Sequence, residues 1–256
     1  MKKMLATYVI SLPQSVERRK SCFQACRDIG LDPIWFNAVN GRELLEKYQE
    51  DPKRYEGRIN LQDKVVLELG MGRRVTIADK LIGSELGCAM SHLELYEKIA
   101  ISDDPYALIL EDDCKLLPSF KNVLPNILDH ALEWDIVHIV HNSGIRDLFV
   151  KKIITLDKVK KYEMIRKGMG PLLDPIFNRR RMCLLTGAYL INRKAANRLV
   201  KIGFPVRLNA DYLLGLLAYH KLRLFTLEPM QEFATAEGFA STIETTGVNR
   251  PKHRLT

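Results

Sequence analysis

Short apolar runs that stop abruptly, set between stretches of helical period, define the reading of this chain. Ala6 to Leu12 is apolar and partly β-branched, which predicts a buried first strand. Pro13 ends it, and Ser15 stands where it can cap a helix carrying Val16, Phe23, Cys26 and Ile29 and stopping at Gly30. A second short strand, Ile34 to Ala38, runs into the loop Val39-Asn40-Gly41. Together these segments read as a β-α-β unit of the kind that opens a doubly wound sheet, where nucleotides bind at the carboxyl ends of the strands.

Residues 42 to 82 carry charged helical pieces without a strong period and read as an excursion that could cover a cleft. From Ser84 the period returns. A helix capped there and running to Ser102 has apolar positions at Leu86, Met90, Leu93, Tyr96 and Ile99, which suits a largely buried element. Tyr106 to Leu110 is then a continuous apolar strand that meets three carboxylates. Beyond an amphipathic stretch from Phe120 to Leu132, strands are expected at Ile136 to Val140 and Cys183 to Ile191, the latter followed by a helix capped by Asn192. Asp211 to His220 reads as a helix, Leu222 to Leu227 as a strand, and residues from Pro229 as a polar tail.

Strands and helices thus alternate along 256 residues with no repeat, low-complexity tract or linker, so one α/β domain spanning 1–256 is expected, with 229–256 as its tail. The balance of 39 Lys+Arg against 31 Asp+Glu gives a formal +8 and favours an anionic partner. Basic runs fall mostly in the second half, at Lys151-Lys152, Lys158 to Lys161, Arg179-Arg180-Arg181 and Arg250 to Arg254, where solvated loops and a binding surface are both open readings. The five cysteines lack the Cys-x2-Cys spacing of a zinc site and fit reduced thiols in a cytosolic compartment. The opening Met1-Lys2-Lys3 only imitates a signal peptide, because Pro13 and Glu17-Arg18-Arg19 interrupt the apolar stretch. No run reaches the roughly 18 to 20 apolar residues of a membrane span, so any membrane contact is expected to be peripheral.

The sharpest chemical feature is the buried strand that delivers Glu111-Asp112-Asp113 to its carboxyl end. Adjacent carboxylates repel one another, and a hard divalent cation such as Mg²⁺ or Mn²⁺ relieves that repulsion while bridging to phosphate oxygens. An acidic turn capping the next segment is the plainer alternative.

Four stretches resemble glycosyltransferase family 25, whose members add sugars to bacterial lipooligosaccharide and include domains of collagen galactosyltransferases. They are Tyr8-Val-Ile-Ser-Leu-Pro-Gln-Ser-Val-Glu-Arg-Arg19, Gly83-Ser-Glu-Leu-Gly-Cys-Ala-Met-Ser-His92, Leu108-Ile-Leu-Glu-Asp-Asp113 and Thr186-Gly-Ala-Tyr-Leu-Ile191. Phe239-Ala-Ser-Thr-Ile243 is a weaker match near the C-terminus, and Ser11 stands where the family usually has Asn. That change is expected to be tolerated, since the strand-end backbone keeps its contact.

The resemblance implies a GT-A type fold with a mostly parallel nucleotide-binding sheet flanked by helices. It also implies a UDP-sugar donor, UDP-galactose or UDP-glucose, and inverting transfer to a lipooligosaccharide or lipopolysaccharide core. On that reading Asp113 is the first choice for the metal ligand with Glu111 beside it, and Glu111 and Asp112 lie near the ribose and sugar. Leu12, Arg18, Val39, Asn40 and Gly41 are assigned to the uridine, and Glu85, Ser91 and His92 to the donor site. Glu85 could equally be a first-turn acid favouring the helix dipole, and His92 a satisfied core residue.

An inverting transfer needs a general base for the acceptor hydroxyl. Asp211 occupies the place along the chain where related folds carry it, though an Asp at a helix start is also an ordinary cap; His141 is the reserve. A metal-dependent nucleotidyl- or phosphotransferase is the rival enzyme, weakened because no Gly-x-x-x-x-Gly-Lys-Ser/Thr or Gly-x-Gly-x-x-Gly is present. A nucleic-acid module ranks lower, since the basic runs lack interleaved aromatics, so no nucleic-acid partner is expected. The basic surface is instead expected to meet an anionic acceptor at the inner face of the cytoplasmic membrane.

Overall fold

A computed structural model describes residues 5–78, 80–142, 152–170, 172–177 and 183–235. The runs Arg179 to Arg181 and Arg250 to Arg254, Lys151, and the stretch Phe239 to Ile243 lie outside the described residues. The chain opens with β1 (Leu5–Ser11), α1 (Val16–Asp28) and β2 (Pro33–Asn37), as the apolar pattern predicts. Gly30, at φ +83°, turns the chain out of α1 in a conformation that a side chain disfavours. Next come α2 (Gly41–Glu50), the hairpin β3 (Val65–Gly70) and β4 (Arg73–Ile77), α3 (Gly83–Ala100) and β5 (Tyr106–Glu111).

The second half contains β6 (Lys115–Leu116), α4 (Pro118–Asp129), β7 (Ile136–His138), β8 (Ile153–Asp157), β9 (Tyr162–Arg166) and α5 (Asp174–Phe177). It continues through β10 (Ala188–Asn192), α6 (Arg193–Gly203), α7 (Ala210–Gly215), α8 (Leu217–His220), β11 (Leu224–Glu228) and β12 (Ala234–Thr235). Asn192 caps α6 through its side chain, as expected, by accepting from the Ala195 amide at 2.8 Å. The helix expected from Asp211 to His220 breaks at Leu216 into α7 and α8, and its cap is Asn209, which accepts from the Tyr212 amide.

Eight strands form one sheet in the order β2-β1-β5-β10-β7-β11-β9-β8. Parallel pairing joins β2, β1 and β5, while β10 runs antiparallel to both β5 and β7. This is an α/β architecture consistent with a GT-A-like fold. Both faces are covered, so successive residues of a central strand bury on opposite sides. Ile109 and Tyr189 face a core shared with α3, α6, α7 and the β3–β4 hairpin, whereas Leu108, Leu110 and Leu190 face one shared with α1 and α4. Residues 42 to 82 are therefore more than a loose cover: Val65, Leu67, Leu69, Val75 and Ile77 are buried in the first of these cores. Ile10 of β1 pairs with Glu111 of β5, and Ser11 with Asn37 of β2, which aligns three strand ends at one edge of the sheet. The functional residues gather there.

Candidate active site

Glu111, Asp112 and Asp113 leave the end of β5; Glu111 faces His92, whereas Asp112 and Asp113 converge on Arg18. One Arg18 nitrogen reaches Asp112 at 2.7 Å and Asp113 at 3.2 Å, so α1 supplies a positive charge to the acidic turn. That charge does not fully compensate. Burial and the neighbouring Glu111 charge push the Asp113 carboxyl up to about 6 against the opposing pull of Arg18. Burial also raises Asp112. Partly desolvated, crowded carboxylates of this kind have the chemistry of a hard-cation site.

The turn borders a cavity of about 360 Å³ that also takes in Leu12, Arg18, Val39, Asn40, Gly41, Ser91 and His92. Residues from four sequence stretches thus converge, although their parts differ. The Leu12 carbonyl is already engaged, accepting from the Ser15 amide at 3.0 Å and from Arg19 at 2.9 Å. Arg19 also donates to Ser11 and stacks over the Trp35 ring at 4.1 Å, which holds the loop after β1. Ser11 thus contributes through its hydroxyl, rather than through the strand-end backbone alone. Asn40 caps α2 by accepting from the amides of Arg42 and Glu43.

The glycine spacing in α3 has a steric cause. A Cβ on Gly41 would lie 1.7 Å from the Gly83 carbonyl oxygen, and one on Gly87 would lie 2.6 Å from the Gly41 amide nitrogen. Only bare backbone lets the amino end of α2 rest on the first turns of α3. Ser91 completes the junction by donating to the Gly87 carbonyl at 2.7 Å and accepting from the Val39 amide at 2.8 Å. Glu85 accepts from the Ile82 amide at 3.1 Å and so closes the start of the helix as a cap. Both side chains hold the walls of the site, Ser91 bordering the larger cavity and Glu85 a smaller one. Ser84, expected as the cap, lies inside the helix; its buried hydroxyl has no partner among the described residues and lines the cavity.

Glu111 is held from a different side than its two neighbours. His92 Nε2 lies 3.2 Å from its Oε1, and Thr186 donates to the same oxygen. Burial raises its carboxyl, but the hydrogen bonds from His92 and Thr186 together with the Arg18 charge prevail and leave it below its ordinary value. Cys88 approaches the same oxygen at 3.9 Å. Cys88, His92 and Glu111 form the one group of potential metal ligands within 4.8 Å of one another among the described residues. A thiol, an imidazole and a single carboxylate suit a softer ion than Mg²⁺. The oxygen ligands of Asp112 and Asp113 suit the expected hard cation better, although Arg18 already pairs with both.

Glu111, Asp113 and Cys88 also border a second cavity of about 230 Å³, lined further by Glu85, Leu185, Thr186, Asn209 and Asp211. Burial, then the Glu111 charge, raises Asp211 to about 6, with a hydrogen bond from the Leu185 backbone opposing. Leu185 makes that bond from the left-handed region, at φ +86°, a position costing roughly 1–3 kcal/mol for a branched side chain. His141 is not brought to either cavity. Its Nε2 lies 3.3 Å from Glu228 and 3.3 Å from the Leu227 carbonyl, because the chain after β7 turns the ring towards β11.

The family model described as Glycosyltransferase family 25 (LPS biosynthesis protein) matches residues 4–214. The chain belongs to glycosyltransferase family 25. Similar proteins named Glycosyltransferase 25 family member occur in mosquitoes. That of Aedes aegypti is 30% identical over 136 residues, which cover 51% of this chain and 20% of the relative. That of Anopheles gambiae is 27% identical over 139 residues, 51% of this chain and 21% of the relative. The chain therefore spans about a fifth of the length of these relatives. Within this family 25 chain, the site draws on residues to which sequence reasoning gave no role, namely Cys88, Thr186 and Tyr189. Each sits inside a family stretch, and that was the one signal available. Among the described residues no helix is long and apolar enough to cross a membrane.

Proposed function

We propose that this chain is an inverting glycosyltransferase that moves galactose or glucose from a UDP-sugar to a hydroxyl of a lipooligosaccharide or lipopolysaccharide core. One observation carries the reading: the nucleotide-side residues and Asp211 line two cavities that meet at Glu111 and Asp113. A donor in the larger cavity and an acceptor in the smaller would approach the acidic turn together. Attack by the acceptor on the anomeric carbon, opposite the diphosphate, inverts its configuration.

Asp211 takes the acceptor proton in this scheme. A carboxyl raised to about 6 is ionised near neutrality yet basic enough to share a proton during attack. Arg18 orients Asp112 and Asp113 and adds positive charge beside the diphosphate. Ser84, on the first turn of α3, offers a hydroxyl from the same wall. Mg²⁺ or Mn²⁺ would be held by Asp113 with Glu111 and would supply charge stabilisation for the departing diphosphate. The net +8 supports an anionic acceptor and peripheral contact with the anionic inner face of the cytoplasmic membrane.

The test is UDP release by the full chain from UDP-galactose and UDP-glucose with Mn²⁺, with and without deacylated lipooligosaccharide, followed by NMR of the product's anomeric configuration. Acceptor-stimulated release and an inverted linkage support the reading. No release from either donor, or transfer of a phosphoryl group instead, returns the acidic turn to phosphotransferase chemistry.

A further inference from the structure

Behind Glu111 lies a buried chain of polar groups that neither cavity contains in full. Tyr96 Oη is 2.7 Å from Tyr189 Oη, Tyr189 Oη is 2.7 Å from His92 Nδ1, and His92 Nε2 is 3.2 Å from Glu111 Oε1. Tyr96 and His92 lie one turn apart on α3, and Tyr189 comes from β10 across the sheet face. Tyr96, Tyr189 and His92 are all essentially closed to water. Apolar packing alone does not require two hydroxyls in such a place, and burying them without partners is costly.

The donors and acceptors in this chain have one consistent order for a neutral imidazole. An ionised carboxylate only accepts, so Nε2 must carry the hydrogen facing Glu111. Nδ1 is then an acceptor, and Tyr189 must donate to it. The Tyr189 oxygen in turn accepts from Tyr96. We propose that Tyr189, backed by Tyr96, is a positioning residue that fixes His92 as its Nε2–H tautomer and thereby holds Glu111 in place between the two cavities. The inference rests on the reading of Glu111 as part of the donor site. The β10 segment then reaches Glu111 twice, directly through Thr186, two residues before the strand, and at one remove through Tyr189.

The wild-type full chain, labelled with ¹⁵N-histidine, gives the first readout, with His92→Gln identifying the resonances among the six histidines. A protonated Nε2 and an unprotonated Nδ1 at neutral pH are expected. Protonation at Nδ1, alone or together with Nε2, overturns the proposal, whatever the protein does with nucleotide. Tyr189→Phe keeps the ring and removes only the hydroxyl. It should speed exchange of the His92 Nε2 hydrogen at least tenfold and weaken UDP binding with Mn²⁺ about threefold to tenfold, whereas Tyr96→Phe, one step further away, should do less of both. If Tyr189→Phe leaves exchange and binding at wild-type values, the hydroxyl has no positioning role. Should wild type fail to bind UDP, the donor reading falls, while the ¹⁵N spectrum still decides the tautomer.

Discussion

Replacing Gly87 by alanine sets two effects of opposite sign against each other. Helix propensity alone makes Gly→Ala inside a helix favourable by up to about 1 kcal/mol. At Gly87 the added methyl would lie 2.6 Å from the Gly41 nitrogen, 2.7 Å from the Val39 carbonyl oxygen and 2.8 Å from the Gly41 Cα. Ordinary contact begins near 3.4 Å and the shortest approach is 2.6 Å, so α3 and the loop after β2 must separate by about 0.8 Å. All three obstacles are backbone, which cannot rotate away as a side-chain tip can. Overpacking of this kind costs about 1–3 kcal/mol. It exceeds the propensity gain, and at about 2–4 °C per kcal/mol the net loss should lower the melting temperature by several degrees. The shift would also strain the Ser91 bond to the Val39 amide, so UDP affinity should fall with stability. Thermal unfolding and UDP titration on the same preparation read both. An alanine variant that melts higher than wild type and binds UDP equally well would refute the packing argument.

Other consequences follow from the charges. If Asp211 is the base, kcat should rise with pH through about 6 to a plateau, and Asp211→Asn should remove that limb and lower kcat about 10²- to 10⁴-fold. His141→Gln should leave kcat within about twofold of wild type, because its ring pairs with Glu228 away from both cavities. The raised Asp211 carboxyl binds its proton more tightly folded than unfolded, so it penalises the folded state above about pH 6 and not below the ordinary aspartate range. Asp211→Asn should therefore raise the melting temperature at pH 8 and leave it unchanged at pH 3.5. Arg18→Ala leaves Asp112 and Asp113 without that cation, and removing one partner of a buried pair costs about 3–5 kcal/mol. The partial exposure of Arg18 (15%) and Asp113 (30%) places the loss at the low end or below, and millimolar Mn²⁺ should restore part of it in a urea titration.

The elements that position the site were the legible ones. β1, α3 and β5 are largely buried, whereas α1 and the mostly exposed β2 were legible from their bounds at Pro13, Gly30 and the loop Val39-Asn40-Gly41. The β3–β4 hairpin was not legible: the apolar run Val65-Val66-Leu67 conceals in sequence that Val66 is exposed between two buried neighbours, although Gly70 and Gly72, both in the left-handed region around Met71, are turn signals that sequence reading passed over. β8 and β9 are similarly masked, with Ile153 exposed among charged neighbours. The residues that line the larger cavity could be named because they sit at strand ends or in recognisable stretches. What each does depends on partners distant in sequence: Ser91 on Val39, Glu111 on Thr186, and His141 on Glu228. A single helix register or strand end decides such pairings, and local pattern does not report it.

Calorimetric titration of UDP, with and without Mn²⁺, into wild type and Asp113→Ala joins nucleotide, metal and acidic turn in one experiment. Micromolar binding to wild type that requires Mn²⁺ and is lost in Asp113→Ala is the expected result. Absence of UDP binding to wild type under either condition, or binding indifferent to both Mn²⁺ and Asp113, would contradict a donor site built on the end of β5.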